Sequence, residues 1–253
     1  MSVEYYIFDP NGNVTALVTG GAAKPGYTDI SKRIMADNPG VEQVGFVDFS
    51  NKAVNLNMAG DEFCGNAAMS AAALNYRLLG KSGVLKQTVL VSPLNAAVEV
   101  TVRGEGDEFF CESVMPFPDK ISEYSFTAGG REYKFPIVHL SGITHIIADN
   151  SLSPAYAQSV IKALAKDLAV PALGIMLFDR APGRLVPLVY VAAVDTVFFE
   201  KCCSSGTCAV AALLDSYEKT VITQPGGAVL ARVQDNGIYV SLSLKFIKHC
   251  IKE

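Results

Sequence analysis

Short apolar runs and two-faced segments succeed one another along the 253 residues, and the series is played through twice. In the first half, residues 3–8, 15–19, 43–49, 54–57, 88–91 and 97–102 are β-branched or alternating stretches broken by Gly, Pro and Asn, which predicts strands. Two segments with helical spacing interrupt them, 27–37 and 66–79, the second stopping at Gly80 as a helix with a C-terminal glycine would. The second half repeats the recipe. Strands are expected at 133–140, 145–148, 174–178, 185–190, 228–233 and 238–244, and helices at 154–168 and 206–217. Pro116, Phe117 and Pro118 fall near the midpoint. The pattern predicts an α+β fold of two pseudo-symmetric halves, each a curved mixed sheet wrapped on a central helix, with a cleft between them. The halves are expected at 1–117 and 118–253, with the C-terminal residues free to pack back on the first.

Half of the residues are hydrophobic and 18% are charged, which permits a sizeable core and argues against disorder. A net charge of −4, with no basic run interleaved with aromatics, argues against a nucleic-acid partner. No apolar stretch is long enough to span a membrane. The opening residues, Met1 to Tyr6, carry neither a charged n-region nor an apolar h-region, so no secretory leader is expected and the cytoplasm is the expected location. The six cysteines, at 64, 111, 202, 203, 208 and 250, therefore read as free thiols rather than a disulfide framework. Neither a CxxC nor an HxxxH spacing occurs, and His139, His145 and His249 are scattered, so no metal site and no cofactor are expected. Cys111 and Cys250 read as small buried hydrophobes.

Two of the cysteines stand in matching surroundings. Asp61 to Ser70 and Glu200 to Ala209 each run from an acidic residue into a cysteine, then small hydrogen-bonding residues, then an Ala-rich helical stretch. A cysteine at a helix N-terminus sits among unpaired N–H groups and the positive end of the dipole, which favours thiolate. Two such mouths facing one anion-binding cleft would suit the transfer of a proton from one face of a carbon to the other. One base is expected to be Cys64; for the other, spacing alone leaves the adjacent Cys202 and Cys203 both open.

At these motifs the chain resembles the diaminopimelate-epimerase superfamily, whose members racemise amino acids with two cysteines and no pyridoxal phosphate. Phe63-Cys64-Gly65-Asn66-Ala67 is similar to the first motif of that superfamily, and Cys203-Ser204-Ser205-Gly206-Thr207 to the second, where Ser204 replaces a usual glycine. In that second motif only Cys203 is in register with Gly206, which sets Cys202 aside, so the resemblance implies Cys64 and Cys203 as the bases. The likeness extends through Asn11-Gly12-Asn13, Glu42 to Phe46, Gly142 to His145 and Gln224 to Gly227. Within the superfamily the chain most resembles the histidine racemases of metallophore biosynthesis, on Pro10 to Thr15, Glu42 to Phe46, Gly60 to Ala67, Gly174 to Asp179 and Pro187 to Tyr190.

The resemblance implies a cofactor-independent racemase acting on an amino acid, histidine first, as a homodimer. It implies that N–H groups around Gly65, Asn66, Ser204, Ser205 and Gly206 hold the substrate carboxylate. Asn13, Gln43, Asn57 and His145 align with positions near the substrate, and Glu42 is a partner for a substrate ring N–H. Asp195 is also expected near the cleft. Diaminopimelate epimerase itself is the first rival, but the distal-carboxylate arginine of those enzymes corresponds to Val194-Asp195 here, and burying a carboxylate without it is costly. A racemase of another amino acid is a second rival. An amino-acid-binding or redox-sensing protein without turnover is a rival of a different class.

Overall fold

Strand pairing closes a ring in the first part of the molecule. The computed structural model describes residues 2–20, 22–49, 53–92, 96–181, 183–215 and 217–252. Met1, where the leaderless reading begins, and Ser216, inside the last predicted helix, lie outside the described residues. Strands β1 (Val3–Pro10), β2 (Thr15–Gly20), β3 (Gln43–Asp48), β4 (Val54–Met58), β5 (Val84–Val91), β6 (Ala96–Glu105) and β7 (Glu108–Met115) are successive neighbours. The last strand, β16 (Gly237–Lys252), pairs antiparallel with β7 and also with β1, so eight strands form a barrel. The β2–β3 and β4–β5 pairs are parallel, which makes the barrel mixed.

From β16 the sheet runs on through β15 (Gly227–Gln234), β14 (Thr220–Gln224), β12 (Arg184–Val191), β11 (Ala172–Asp179), β10 (Ile143–Ala148) and β9 (Arg131–Leu140) to β8 (Lys120–Ala128), with β13 (Thr196–Phe199) hairpinned onto β12. One strand thus belongs to both parts.

Four α-helices are present among the described residues: α1 (Tyr27–Asp37), α2 (Gly65–Leu78), α3 (Pro154–Asp167) and α4 (Ser204–Leu214). The fold is α+β. α2 packs against β1, β2, β4, β5, β6 and β7. Ala67, Ala68, Ala71, Ala72 and Ala73 are fully buried there, because methyl-sized side chains let a helix approach strands on several sides while keeping high helix propensity. α4 packs against β9, β10, β11, β15 and β16, with Ala209 and Ala211 buried in the same way. α3 covers β11 and β12 through Ala157, Ile161, Leu164 and Ala165. No described helix is long and apolar enough to cross a membrane.

All four helices begin within two residues of where the pattern places them, but the last ends at Leu214, with Asp215 left-handed (φ 48°) at its C-cap, rather than at 217. Strands β7, β8, β13 and β14 fall outside the expected set. In β7, Phe109, Cys111, Ser113 and Met115 are buried, but Glu108, Glu112 and a buried serine dilute the apolar alternation. β16 runs eight residues past its expected end, since its polar tail, Lys245 to Lys252, is recruited by pairing with β1 rather than by burial.

Leu74 lies fully buried on α2, whereas Leu78, one turn on, is 51% exposed. Leu74→Ala is expected to lower the unfolding free energy by about 2–5 kcal/mol, and Leu78→Ala by less than about 0.5 kcal/mol. Urea denaturation of both variants checks this.

Candidate active site

The two Ala-rich helices begin alike. Cys64 caps α2 and Cys203 caps α4, with extended backbones (φ −131°, ψ 108° and φ −133°, ψ 106°). Each sulfur accepts an N–H three residues on, from Ala67 at 3.3 Å and from Gly206 at 3.4 Å. The mouths of the helices meet. A Cβ at Gly65 would lie 2.9 Å from the Ser204 Cβ and 2.3 Å from the Met115 Cε, so this approach requires glycine.

Asn66 joins the two mouths. Its amide donates to Asn13 Oδ1 at 2.7 Å and to the Cys202 carbonyl at 2.8 Å, and its own oxygen accepts the Ser204 hydroxyl. Ser204 opens α4 with ordinary φ, so it keeps its N–H at the helix mouth and adds a donor that glycine lacks.

From Asn13 the network runs to the first cysteine. Gln43 Nε2 donates to Asn13 Oδ1 at 2.6 Å, and the Cys64 thiol donates to Gln43 Oε1 at 3.1 Å. Asn13 Nδ2 also donates to Glu42 Oε2 at 2.8 Å. Around the second cysteine, the Cys203 N–H donates to Gln224 Oε1 at 2.8 Å. The Ser205 hydroxyl lies 3.5 Å from Cys203 Sγ and 3.1 Å from His145 Nε2.

One cavity collects most of these groups. It is lined by Cys64, Cys203, Glu42, Gln43, Gly65, Asn66, Ser204 and Ser205. Asn13, Gly206 and His145 stand one layer behind, touching the lining residues rather than the space. Two expected residues lie elsewhere. Asn57 pairs with Phe46 on β4 and lines a separate hollow with Tyr27; strand alternation turns Leu56 and Met58 to the core and Asn57 the other way. Asp195 sits in the exposed turn between β12 and β13, ion-paired with Lys162 at 2.6 Å.

Sequence reasoning missed two lining carboxylates, Glu62 and Glu200, although both stand in the motifs that drew attention to the cysteines. It also missed the walls: Ser31 and Met35 of α1 on one side, and Val189, Val191, Thr196 and Phe198 of the β12–β13 hairpin on the other. Among the described residues no lysine, arginine or histidine lines the cavity. Nor is any cluster of His, Cys, Asp and Glu among them arranged to hold a metal ion.

The family described as "Histidine racemase CntK N-terminal domain" matches residues 2–245. The chain belongs to that family. It is 29% identical over 250 residues to a histidine racemase of Fusobacterium nucleatum, covering 94% of this chain and 92% of that protein. A histidine racemase of Staphylococcus aureus is 25% identical over 243 residues, covering 90% and 87%. Among solved structures, a predicted epimerase from Pseudomonas aeruginosa superposes with a TM-score of 0.72 at 13% identity, covering 98% of both chains. A probable proline racemase from Agrobacterium radiobacter gives 0.73 at 12% identity, covering 99% of this chain and 92% of that one. These structures share the fold.

In this racemase family member, burial opposes the helix mouths. Both thiols receive N–H groups as expected, yet desolvation pushes Cys64 and Cys203 well above the ordinary thiol value, with Glu200 pushing both the same way and Glu62 adding to the effect on Cys64. At both sulfurs burial thus works against the pull of the helix mouths toward thiolate. Burial also raises Glu62 to about 7 and Glu200 to about 8. It holds His145 neutral by lowering it to about 3, and the Nδ1 of that ring has no partner among the described residues.

These shifts predict opposite limbs of a stability profile. Glu62 and Glu200 are raised on folding, so their contribution is intact below 4.5 and is lost as pH rises through about 7 and about 8. His145 is lowered, so its contribution is intact above 6.5 and is lost as pH falls toward about 3. The Glu62→Gln/Glu200→Gln double variant is therefore expected to gain in Tm over the parent as pH rises from about 5 to 8.5. A Tm difference that stayed constant over that range in thermal melts would contradict the assignment.

Proposed function

We propose that the protein interconverts L- and D-histidine, with Cys64 and Cys203 as the two proton-transferring groups. One observation carries this reading: two cysteines cap two helices whose mouths meet across a single cavity. The substrate carboxylate would lie on the N–H groups at the starts of α2 and α4, where the peptide dipoles stabilise charge that develops when the α-proton leaves. The substrate α-C–H would stand between the sulfurs. One sulfur, as thiolate, takes the proton, and the opposite thiol returns one to the other face, so the roles exchange with the handedness of the substrate.

A thiolate must first form, and the buried thiols resist it. Glu200 raises Cys203 further, through its charge and through its hydrogen-bonding contact with the sulfur. Cys64 lacks such an acid partner and donates instead to the neutral Gln43. The Gln43 amide eases Cys64 where Glu200 opposes Cys203, and positive charge on a bound substrate would offset the resistance at either sulfur. Among the described residues no lysine lines the cavity to form an imine with a carbonyl cofactor, and in this reading stabilisation falls to the fixed dipoles.

The lining also speaks for the side chain. Glu42, Glu62 and Glu200 meet no cationic lining residue, which suits a substrate that brings N–H groups or positive charge and penalises a distal carboxylate. Val194 occupies the wall where the resemblance would place part of a carboxylate-binding pair.

The same reading includes the finer architecture. Residues 1–117 and 118–253 would act as two halves, α2 and α4 as their central helices, and closure between them would exclude water. A cytoplasmic homodimer, free of nucleic acid and membrane, is the context the reading carries with it.

In D₂O, a panel of L-amino acids followed by NMR is expected to lose the α-proton signal fastest for histidine, without added cofactor and in the presence of EDTA. Cys64→Ser and Cys203→Ser are each expected to slow exchange by at least about 10²–10⁴-fold, since a hydroxyl is a far weaker acid than a thiol. Cys202→Ser should retain most activity, because the network uses only its carbonyl. Exchange with meso-diaminopimelate faster than with histidine would overturn the substrate. No exchange with any amino acid would leave a binding or redox-sensing protein.

A further inference from the structure

Among the described residues three carboxylates line the cavity; each has a hydrogen-bonding neighbour, the backbone of Gly60 and Glu62 in the case of Glu62, but only Glu62 keeps a fully buried oxygen without a partner. Asn13 holds one oxygen of Glu42 at 2.8 Å, and Glu200 is hydrogen-bonded to Cys203. Glu62 differs. It is 8% exposed, it lines the cavity, and its Oε2 has no hydrogen-bond partner among the described residues. The carboxyl rests between the backbone of Gly60 and the wall of β12: a Cβ at Gly60 would fall 2.6 Å from Glu62 Oε2 and 2.3 Å from Val191 Cγ1. Gly60 thus leaves room for this carboxyl against the valine wall.

A buried acceptor with no donor is costly unless the bound state supplies one. Among the described residues the lining offers no ammonium, guanidinium or imidazole to do so. The donor must then come with the substrate. Resting on the racemase reading above, we propose that Glu62 is the specificity-determining residue, accepting an N–H from the substrate side chain. The α-ammonium is left to Glu42 and Glu200, and the class of side chain selected is one that presents an N–H donor, as imidazole does, rather than a hydrocarbon or a group that can only accept.

The isosteric change Glu62→Gln gives the sharpest test. The backbone N–H groups of Glu62 and Gly60 favour an oxygen beside them. The new amide would therefore turn its carbonyl to the backbone and its NH₂ to the cavity, replacing an acceptor by a donor. The KM for histidine is expected to rise about 10- to 100-fold, the span of a lost charged hydrogen bond, with a smaller change in kcat. The KM for alanine should move much less, and exchange with glutamate, whose ionised side chain can only accept, should gain relative to histidine. Glu62→Asp, which keeps the charge but shortens the reach, should fall between parent and Gln variant. Melting curves of each variant establish that it is folded.

Equal losses for histidine and alanine, or an unchanged histidine-to-glutamate ratio, would overturn the proposal, as would a larger selectivity change in Glu42→Gln than in Glu62→Gln. The parent enzyme separates this failure from a wider one. If it exchanges histidine and the variants keep its selectivity, only the role of Glu62 falls; if it exchanges no amino acid, the racemase reading falls with it.

Discussion

The contact between the two helix mouths governs the rest of the site, and it rests on a single amide. Asn66 belongs to α2, yet two of its bonds, to the Cys202 carbonyl and the Ser204 hydroxyl, cross to the start of α4. The third reaches Asn13, which also holds Gln43 and Glu42. Each such bond contributes about 1 kcal/mol, and a buried group left without its partner costs about 1–3 kcal/mol. The exposed ion pairs, such as Lys24 with Asp61, are worth about 0–1 kcal/mol each. The amide hub therefore outweighs them in fixing how the cysteines face each other. Larger elements set the same distance from outside, because β16 is a strand of the barrel and also continues the second sheet.

Within that frame two electrostatic demands conflict. A racemase without an imine-forming cofactor needs dry, preorganised dipoles, and dryness is what raises the cost of a thiolate. The helix N-termini relieve part of this cost, through Ala67 N–H on Cys64 and Gly206 N–H on Cys203. They do not cancel it. The carboxylates add to it on their own, and a cationic substrate would reverse the sign of the effect, since positive charge between them favours every anion in the cavity. Under the proposed mechanism substrate binding and thiolate formation would be coupled, and a reactive sulfur would not persist between turnovers.

Much of the site was legible in the sequence because helix caps are local. A cysteine followed by small residues and an Ala-rich stretch predicts its own geometry, and both caps formed with nearly the same backbone angles. Positions that depend on strand register were harder. Asn57 aligned with the superfamily pattern, but a pleat of period two turned it away from the cavity. Asp195 looked close along the chain and lies in an exposed turn instead. Glu62 and Glu200 were visible as acidic residues beside the cysteines. Their burial is a tertiary fact, set by Val191 from a distant strand and by the closed space around Cys203, and no local pattern announces it. The strands β7 and β14 were missed for a related reason: barrel closure and sheet continuation supply the pairing that their mixed sequences do not advertise.

Ser204 shows how such a site can vary without losing its chemistry. The resemblance puts glycine at this position, and a side chain there would be excluded if the backbone were left-handed or if the facing helix stood against it. Neither holds. The φ is ordinary, and the space facing Ser204 is opened from the other side, by the missing side chain of Gly65. The hydroxyl fills that space and donates to Asn66. One glycine at the junction is enough for the helices to approach. The other position is then free to carry a hydrogen bond across it, which converts a steric allowance into a tie between the two cysteine caps.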